Sequence, residues 1–216
     1  MKDRIIHPGA KPFIMPSIPA ITSLQPFFED EAQFRSLYPP PMQQLDALHW
    51  SPLSIIHQAV QFLVDREAVK ILDIGSGIGK FCLAGAYYKP AAFFEGVEQR
   101  EDLVQQAEAV RGSLGLQNAR FIHRNFTQLD LKQYDHFYFY NAFFENLSGT
   151  NKIDDSIAYS RELYNYYSYY LYKQLEDMPD GTRIVTYCSW DDEMPRSYLL
   201  AEAHCDGLLK YWIKHN

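Results

Sequence analysis

Val69-Lys70-Ile71-Leu72-Asp73-Ile74-Gly75-Ser76-Gly77-Ile78-Gly79-Lys80-Phe81 decides the fold. Val69 to Ile74 is a short apolar run carrying a single acid, the pattern of a buried strand. Gly75, Gly77 and Gly79 then make a tight turn, and Lys80 to Tyr88 reads as the helix that follows. Strand, glycine turn and helix N-terminus together mark the crevice at the carboxyl end of a parallel sheet, where α/β folds hold nucleotide-like ligands. Glycines suit such a turn because a missing Cβ admits unusual dihedrals and lets a ligand approach the backbone.

Outward from this stretch the chain continues as α/β. On the N-terminal side, Pro52 to about residue 67 has apolar residues at helical spacing (Ile55, Ile56, Ala59, Val60, Leu63, Val64), with Ser51 placed as its cap and Pro52 at the first helical position. Residues 1–48 are punctuated by prolines at 8, 12, 16, 19, 26, 39, 40 and 41 and stand outside the sheet. Only Phe27 to Leu37 has room for a helix there. The segment reads as an N-terminal arm or lid, preceding a domain over residues 49–216. On the C-terminal side, Ala91 to Val97 is a second strand ending at Glu98, 19 residues after Gly79. An acid at that position in a Rossmann-like domain accepts hydrogen bonds from ribose hydroxyls. A helix over Arg100 to Leu114, a strand over Ala119 to His123 and an aromatic strand over His136 to Tyr140 come next. Residues 152 to about 177 are expected to form a long tyrosine-rich helix, and Arg183 to Cys188 a fifth strand. Ser197 to His204 and Leu208 to Lys214, two strand-like runs around Cys205-Asp206-Gly207, read as a terminal hairpin.

Composition narrows the partners. The chain has 216 residues, is 47% hydrophobic and 15% aromatic, and carries a net charge of −7. It has no basic run of the kind that neutralises phosphates, which makes nucleic acid an unlikely acceptor. No stretch reaches the roughly 18 apolar residues of a membrane span. The opening residues lack the apolar core of a secretory signal. Cys82, Cys188 and Cys205 are scattered in no ligand spacing, so no metal is required and reduced thiols in a cytoplasm are expected.

The spacing D-x-G-x-G-x-G differs from the dinucleotide fingerprint, which needs glycine where Lys80 stands. It resembles the first motif of class I S-adenosylmethionine-dependent methyltransferases. The nearest resemblance is to the non-SET, disruptor-of-silencing type of histone lysine methyltransferase. It rests on Asp73-Ile74-Gly75-Ser76-Gly77-Ile78-Gly79-Lys80, Gly96-Val97-Glu98, Tyr140-Asn141-Ala142-Phe143-Phe144 and Gly181-Thr182-Arg183-Ile184-Val185, in that order over residues 50–187. The chain differs from that family in having Tyr140 for an asparagine and in lacking its basic extension. The resemblance implies a three-layer α/β sandwich with a seven-stranded, mostly parallel sheet ending in an antiparallel hairpin. It implies S-adenosyl-L-methionine as cofactor, held by Asp73, Gly75, Ser76, Gly77, Gly79, Glu98 and Asn141, with Ser51 and its helix N-terminus near the methionine carboxylate. Asn125 stands where many of these enzymes have an aspartate that accepts from the adenine amino group, and Phe126 would lie against the ring. Asn141 and Phe144 match the asparagine and aromatic of an N-P-P-[YF] signature that orients an amino nitrogen, although Ala142 and Phe143 replace both prolines. His49 and Glu145 are candidate proton acceptors. The acceptor itself is open, with a protein or a small molecule favoured. A non-catalytic cofactor-binding protein of the same fold, an aminopropyl transferase and a nicotinamide-dependent enzyme are the alternatives.

Overall fold

A computed structural model describes residues 23–215. The first 22 positions of the N-terminal arm, including Phe13, Ile14, Ile18 and Ile21, lie outside the described residues. Seven strands form one sheet: β1 (Lys70–Ile74), β2 (Phe93–Glu98), β3 (Ala119–His123), β4 (His136–Tyr140), β5 (Arg183–Tyr187), β6 (Tyr198–His204) and β7 (Leu209–Lys214). Their order is β3-β2-β1-β4-β5-β7-β6, and only the pairings made by β7 are antiparallel. The expected sheet and its closing hairpin are therefore both present. At the centre, Ile74 of β1 is level with Val97 of β2 and Phe139 of β4. The chain thus leaves all three strands at one edge, and the order turns back at β1, where such sheets open a crevice.

Strand alternation sends β1 side chains into two cores. Ile71 and Tyr138 face a layer built by α5 (Leu53–Leu63), α6 (Lys80–Tyr88) and α7 (Glu101–Leu114). Short N-terminal helices join that layer: α1 (Gln25–Glu29), α2 (Glu31–Arg35), α3 (Pro40–Gln43) and α4 (Asp46–His49), with Phe28, Phe34 and Tyr38 fully buried in it. Leu72, Ile74, Phe137 and Phe139 face α8 (Arg161–Glu176) on the other side.

Four local expectations are corrected. The helix sought in Phe27 to Leu37 is two helices, because Asp30 is extended and its carboxylate caps α2 by accepting from Gln33 N at 2.8 Å. Helix α5 stops at Leu63 rather than near 67, since Asp65 leaves to accept a hydrogen bond from His136 Nε2 at 3.1 Å. Ser51 does not cap it: Pro52 is the capping residue, and Ser51 Oγ is bonded to Tyr138 Oη at 2.7 Å in the core. Helix α8 begins at Arg161 instead of 152, with Ser160 Oγ accepting from Leu163 N. Residues 147–160 form a loop over the sheet edge. Between β5 and β6 a single 3₁₀ turn, Asp191–Glu193, replaces the usual crossover helix.

Candidate active site

The glycine turn is shaped by what touches it. A Cβ on Gly75 would lie 2.4 Å from Ala142 Cβ, so only glycine lets the loop after β1 meet the loop after β4. A Cβ on Gly79 would lie 2.4 Å from the Phe121 ring, and the residue also holds φ +83° at the start of α6. Ser76 is buried against the bare Cα of Gly96 on β2, where a Cβ would come within 2.6 Å of it. The turn hands one N–H to the next strand, since Gly77 N donates to Glu98 Oε2 at 3.2 Å.

Glu98 ends β2 facing the crevice and is only 6% exposed. Its other oxygen accepts from Gln99 N at 2.7 Å and Arg100 N at 3.0 Å. Burial pushes its carboxyl up from the ordinary value, against the pull of those donors and of the Arg100 guanidinium. Arg100, itself buried, is the hub of this wall. Its guanidinium lies 3.6 Å from Glu98, 3.2 Å from Asp154, and in hydrogen-bond contact with Glu145 and Tyr159 Oη. Tyr159 Oη in turn donates to Glu145 at 2.9 Å. One side chain at the head of α7 therefore fastens the β2 tip, the turn after β4 and the 147–160 loop. No pattern in the sequence pairs Arg100 with Glu145 or Asp154. The turn-forming Ser148-Gly149-Thr150-Asn151 and the helix-capping Ser160 are the signals that would have found the loop.

Beyond β4 the backbone is strained. Asn141 has φ +49°, and its Oδ1 is buried with no hydrogen-bond partner among the described residues. A buried acceptor without a donor costs about 1–3 kcal/mol, and asparagine tolerates the left-handed region better than most side chains. Phe144, half-buried, stacks on Trp190 from the loop after β5 (centroids 6.0 Å apart, planes 22°) and meets Tyr164 edge-on. Tyr140 and Tyr187, level in the β4–β5 ladder, make a second pair at 4.8 Å. His49, from α4, stands on the same wall. Burial lowers its imidazole pKa, with Glu145 raising it and Arg100 lowering it further, which keeps the ring neutral at pH 7.

These elements enclose a crevice of about 330 Å³, the size of a small-molecule site. Gly75, Gly77, Glu98, Phe126, Asn141 and Phe144 line it, as do His49 and Glu145. Ile78, Val97, Leu103 and Phe126 supply an apolar floor, and Ile153, Ile157 and Tyr159 come from the loop. Five residues expected at the site are not on its wall. Asp73 lies beneath the turn, its carboxyl raised well above the usual range by burial and by Glu98, with Cys82 Sγ 3.9 Å away. Ser76 and Gly79 pack inward as described. Ser51 is held by Tyr138. Asn125 is already engaged: its Oδ1 accepts from Thr127 N at 3.0 Å and Thr127 Oγ1 at 2.9 Å, and its amide donates to Gln99 Oε1 and Tyr167 Oη. The N-terminus of α5 is served from within the chain as well, because Leu53 N donates to the Glu31 carboxylate, which also binds the buried Lys80 ammonium.

Comparison with known proteins agrees with this geometry. Residues 65–200 match the family model described as a methyltransferase domain. A tRNA (guanine-N(7)-)-methyltransferase of Synechococcus sp. (strain JA-3-3Ab) is 50% identical over 54 residues, 25% of this chain and 23% of that protein. Its counterpart in Synechococcus sp. (strain JA-2-3B'a(2-13)) is 48% identical over 54 residues. The alignment thus spans about a quarter of the length of these curated relatives. Among solved structures, an RNA methyltransferase from Salinibacter ruber in complex with S-adenosyl-L-homocysteine superposes with TM-score 0.50 and 16% identity, over 76% of this chain and 93% of that one. TrmN from Thermus thermophilus gives TM-score 0.51 and 16% identity, over 73% and 46%. At such identities the likeness is one of fold. No helix among the described residues is long and apolar enough to cross a membrane.

Proposed function

This chain belongs to the methyltransferase-domain family of S-adenosylmethionine-dependent, Rossmann-like enzymes, and from that premise we propose that it transfers a methyl group to a nitrogen held at Asn141. The observation that carries the reading is the coexistence, in one crevice of about 330 Å³, of the Glu98 carboxylate and the unpartnered Asn141 Oδ1. The crevice residues fit the cofactor. Glu98 would accept from the ribose hydroxyls, and Gly75 and Gly77 would leave the backbone bare beside the amino-acid portion. Ile78, Val97, Leu103 and Phe126 would receive the adenine. Bound S-adenosylmethionine supplies an activated methyl on a positively charged sulfur.

The remaining work is positioning, which can contribute several kcal/mol to a displacement between held partners. Asn141 Oδ1 would accept an N–H from the acceptor and so orient the nitrogen lone pair. Phe144 would form one wall of the acceptor's entry. An ammonium has no lone pair to attack with, so a proton must leave it first. His49, kept neutral by burial, is the base that would take that proton. The N-terminal segment contributes Leu45, Leu48 and His49 to the wall, consistent with an arm that shapes entry.

A second reading is methylation of RNA, favoured by the local identity to tRNA (guanine-N(7)-)-methyltransferases. Guanine N7 is itself a hydrogen-bond acceptor, so it offers nothing to Asn141 Oδ1, and the acidic chain disfavours phosphate contacts. The deciding experiment combines calorimetry of S-adenosylhomocysteine binding with transfer of labelled methyl to three acceptor classes: unmodified tRNA, lysine-containing peptides and small amines. Asn141→Ala should retain homocysteine-adduct binding within a few-fold and lose transfer by on the order of 100-fold. Equal loss of binding and transfer would refute the role of Asn141. Labelled tRNA with unlabelled amines would favour the second reading.

A further inference from the structure

Beside the crevice stands a surface that the transfer chemistry leaves unused. Trp190 is 58% exposed, whereas Trp50 and Trp212 are 6% exposed and the chain has three tryptophans. An indole in water forgoes a large burial gain, and this one is one ring removed from the crevice. One face is backed by Phe144, a crevice residue; Tyr164 meets Phe144 from α8; and Tyr140 and Tyr187 close the adjacent strand ends. The loop holding the indole is acidic: Asp191, Asp192 and Glu193 follow it directly. Asp191 is matched by Lys210. Neither Asp192 nor Glu193 makes an ion pair within 4 Å among the described residues, and Lys210 acts on Glu193 only from further off. Glu193 instead accepts from Tyr164 Oη at 2.9 Å and from Trp190 N at 3.0 Å, which fixes the indole's backbone beside a carboxylate.

Aromatic faces with neighbouring carboxylates attract a weakly hydrated cation through the ring quadrupole and through charge. A phosphate-bearing strand would stack on the same rings yet meet the acids unfavourably. We propose that Trp190, backed by Phe144 and flanked by Asp192 and Glu193, is an acceptor-binding subsite for an organic ammonium group, borne by a small amine or by a protein side chain. The proposal rests on methyl transfer at Asn141 and deepens it by naming the acceptor class. Trp190 is a binding residue there. The cation enters along the indole face, and its nitrogen is handed on towards Asn141.

Fluorescence of the exposed indole tests this without turnover. The full chain is titrated with choline and with its neutral isostere 3,3-dimethyl-1-butanol, in the absence and presence of saturating S-adenosylhomocysteine. Saturable quenching by choline is expected, with the neutral alcohol binding on the order of tenfold more weakly. Asp192→Asn/Glu193→Gln should weaken choline several-fold and leave the alcohol unchanged. Trp190→Ala should abolish the quenching, and Trp190→Phe should restore cation binding when it is followed by calorimetry. A lysine peptide and free butylamine, run in parallel, separate the protein source from the small-molecule source. Equal affinity for cation and alcohol, or tighter saturable quenching by tRNA than by choline, would overturn the proposal. Homocysteine-adduct binding measured in the same samples keeps the readings apart. Cofactor binding without cation binding sinks the subsite alone, and failure to bind the cofactor sinks the methyl-transfer reading whatever choline does.

Discussion

Arg100→Met removes the one cation that three carboxylates share. The Arg100 side chain is 4% exposed; those of Glu98, Glu145 and Asp154 are 7%, 15% and 34% exposed. Breaking a buried ion pair from one side costs about 3–5 kcal/mol, because the partner charge stays in a poorly solvated place. The lower end applies here. Glu98 keeps three backbone N–H donors, and Glu145 keeps the Tyr159 hydroxyl. A loss of about 3 kcal/mol is expected, corresponding to a fall in Tm of roughly 6–12 °C for a chain of this size. Urea unfolding at pH 7.5 measures it. Adding Glu145→Gln to the variant should return roughly 1–2 kcal/mol by removing one stranded charge, while the same change in the parent should destabilise. Affinity for S-adenosylhomocysteine should fall at least tenfold in Arg100→Met. Glu98, already raised by burial, would lose the guanidinium that favours its ionised form, so this affinity should also drop as pH falls. A loss below about 1 kcal/mol, or a double variant no more stable than Arg100→Met, would refute Arg100 as the hub.

Other outcomes follow from single contacts. Gly79→Ala should destabilise more than Gly77→Ala by urea midpoint: both hold positive φ, but only Gly79 would drive a Cβ into Phe121, while Gly77 faces open space. His136 is buried with Nδ1 accepting from Arg183 N and Nε2 donating to Asp65, and burial holds its pKa below the ordinary value. The unfolded chain therefore binds more protons near pH 6, and stability should be fully present above the unfolded pKa of about 6.5 and fall as pH drops below it. His136→Asn should flatten that slope in pH-dependent urea curves. Tyr38→Phe, which deletes a buried hydroxyl donating to Ile78 O at 2.9 Å, should cost about 1 kcal/mol by thermal unfolding.

Local signals were legible wherever a residue's role depends on its neighbours along the chain. Apolar runs, the glycine turn and the hairpin turn yield all seven strands within two residues of their observed ends, and β3 and β4 at their observed bounds. The place of Glu98 on the crevice wall was legible because a strand tip a fixed distance after a glycine turn has few places to go. At Asn125 the sequence is silent about Thr127, Gln99 and Tyr167, which engage its polar atoms in the fold. Ile153 and Ile157 fit a helical stripe, yet Arg100 gathers Asp154 and Tyr159 and draws that segment over the crevice.

By itself the sequence determined the sheet, its chirality-bound connections and the edge at which the crevice opens, since periodicity and turn chemistry are short-range and act on every strand alike. Only the tertiary structure decided which polar groups remain free to meet a ligand. A buried hydrogen-bonding atom takes whichever partner lies nearest in space. For Ser51 and Asp73 that partner is another residue of the core, for Asn125 it is a half-buried neighbour, and for Asn141 Oδ1 none is found among the described residues.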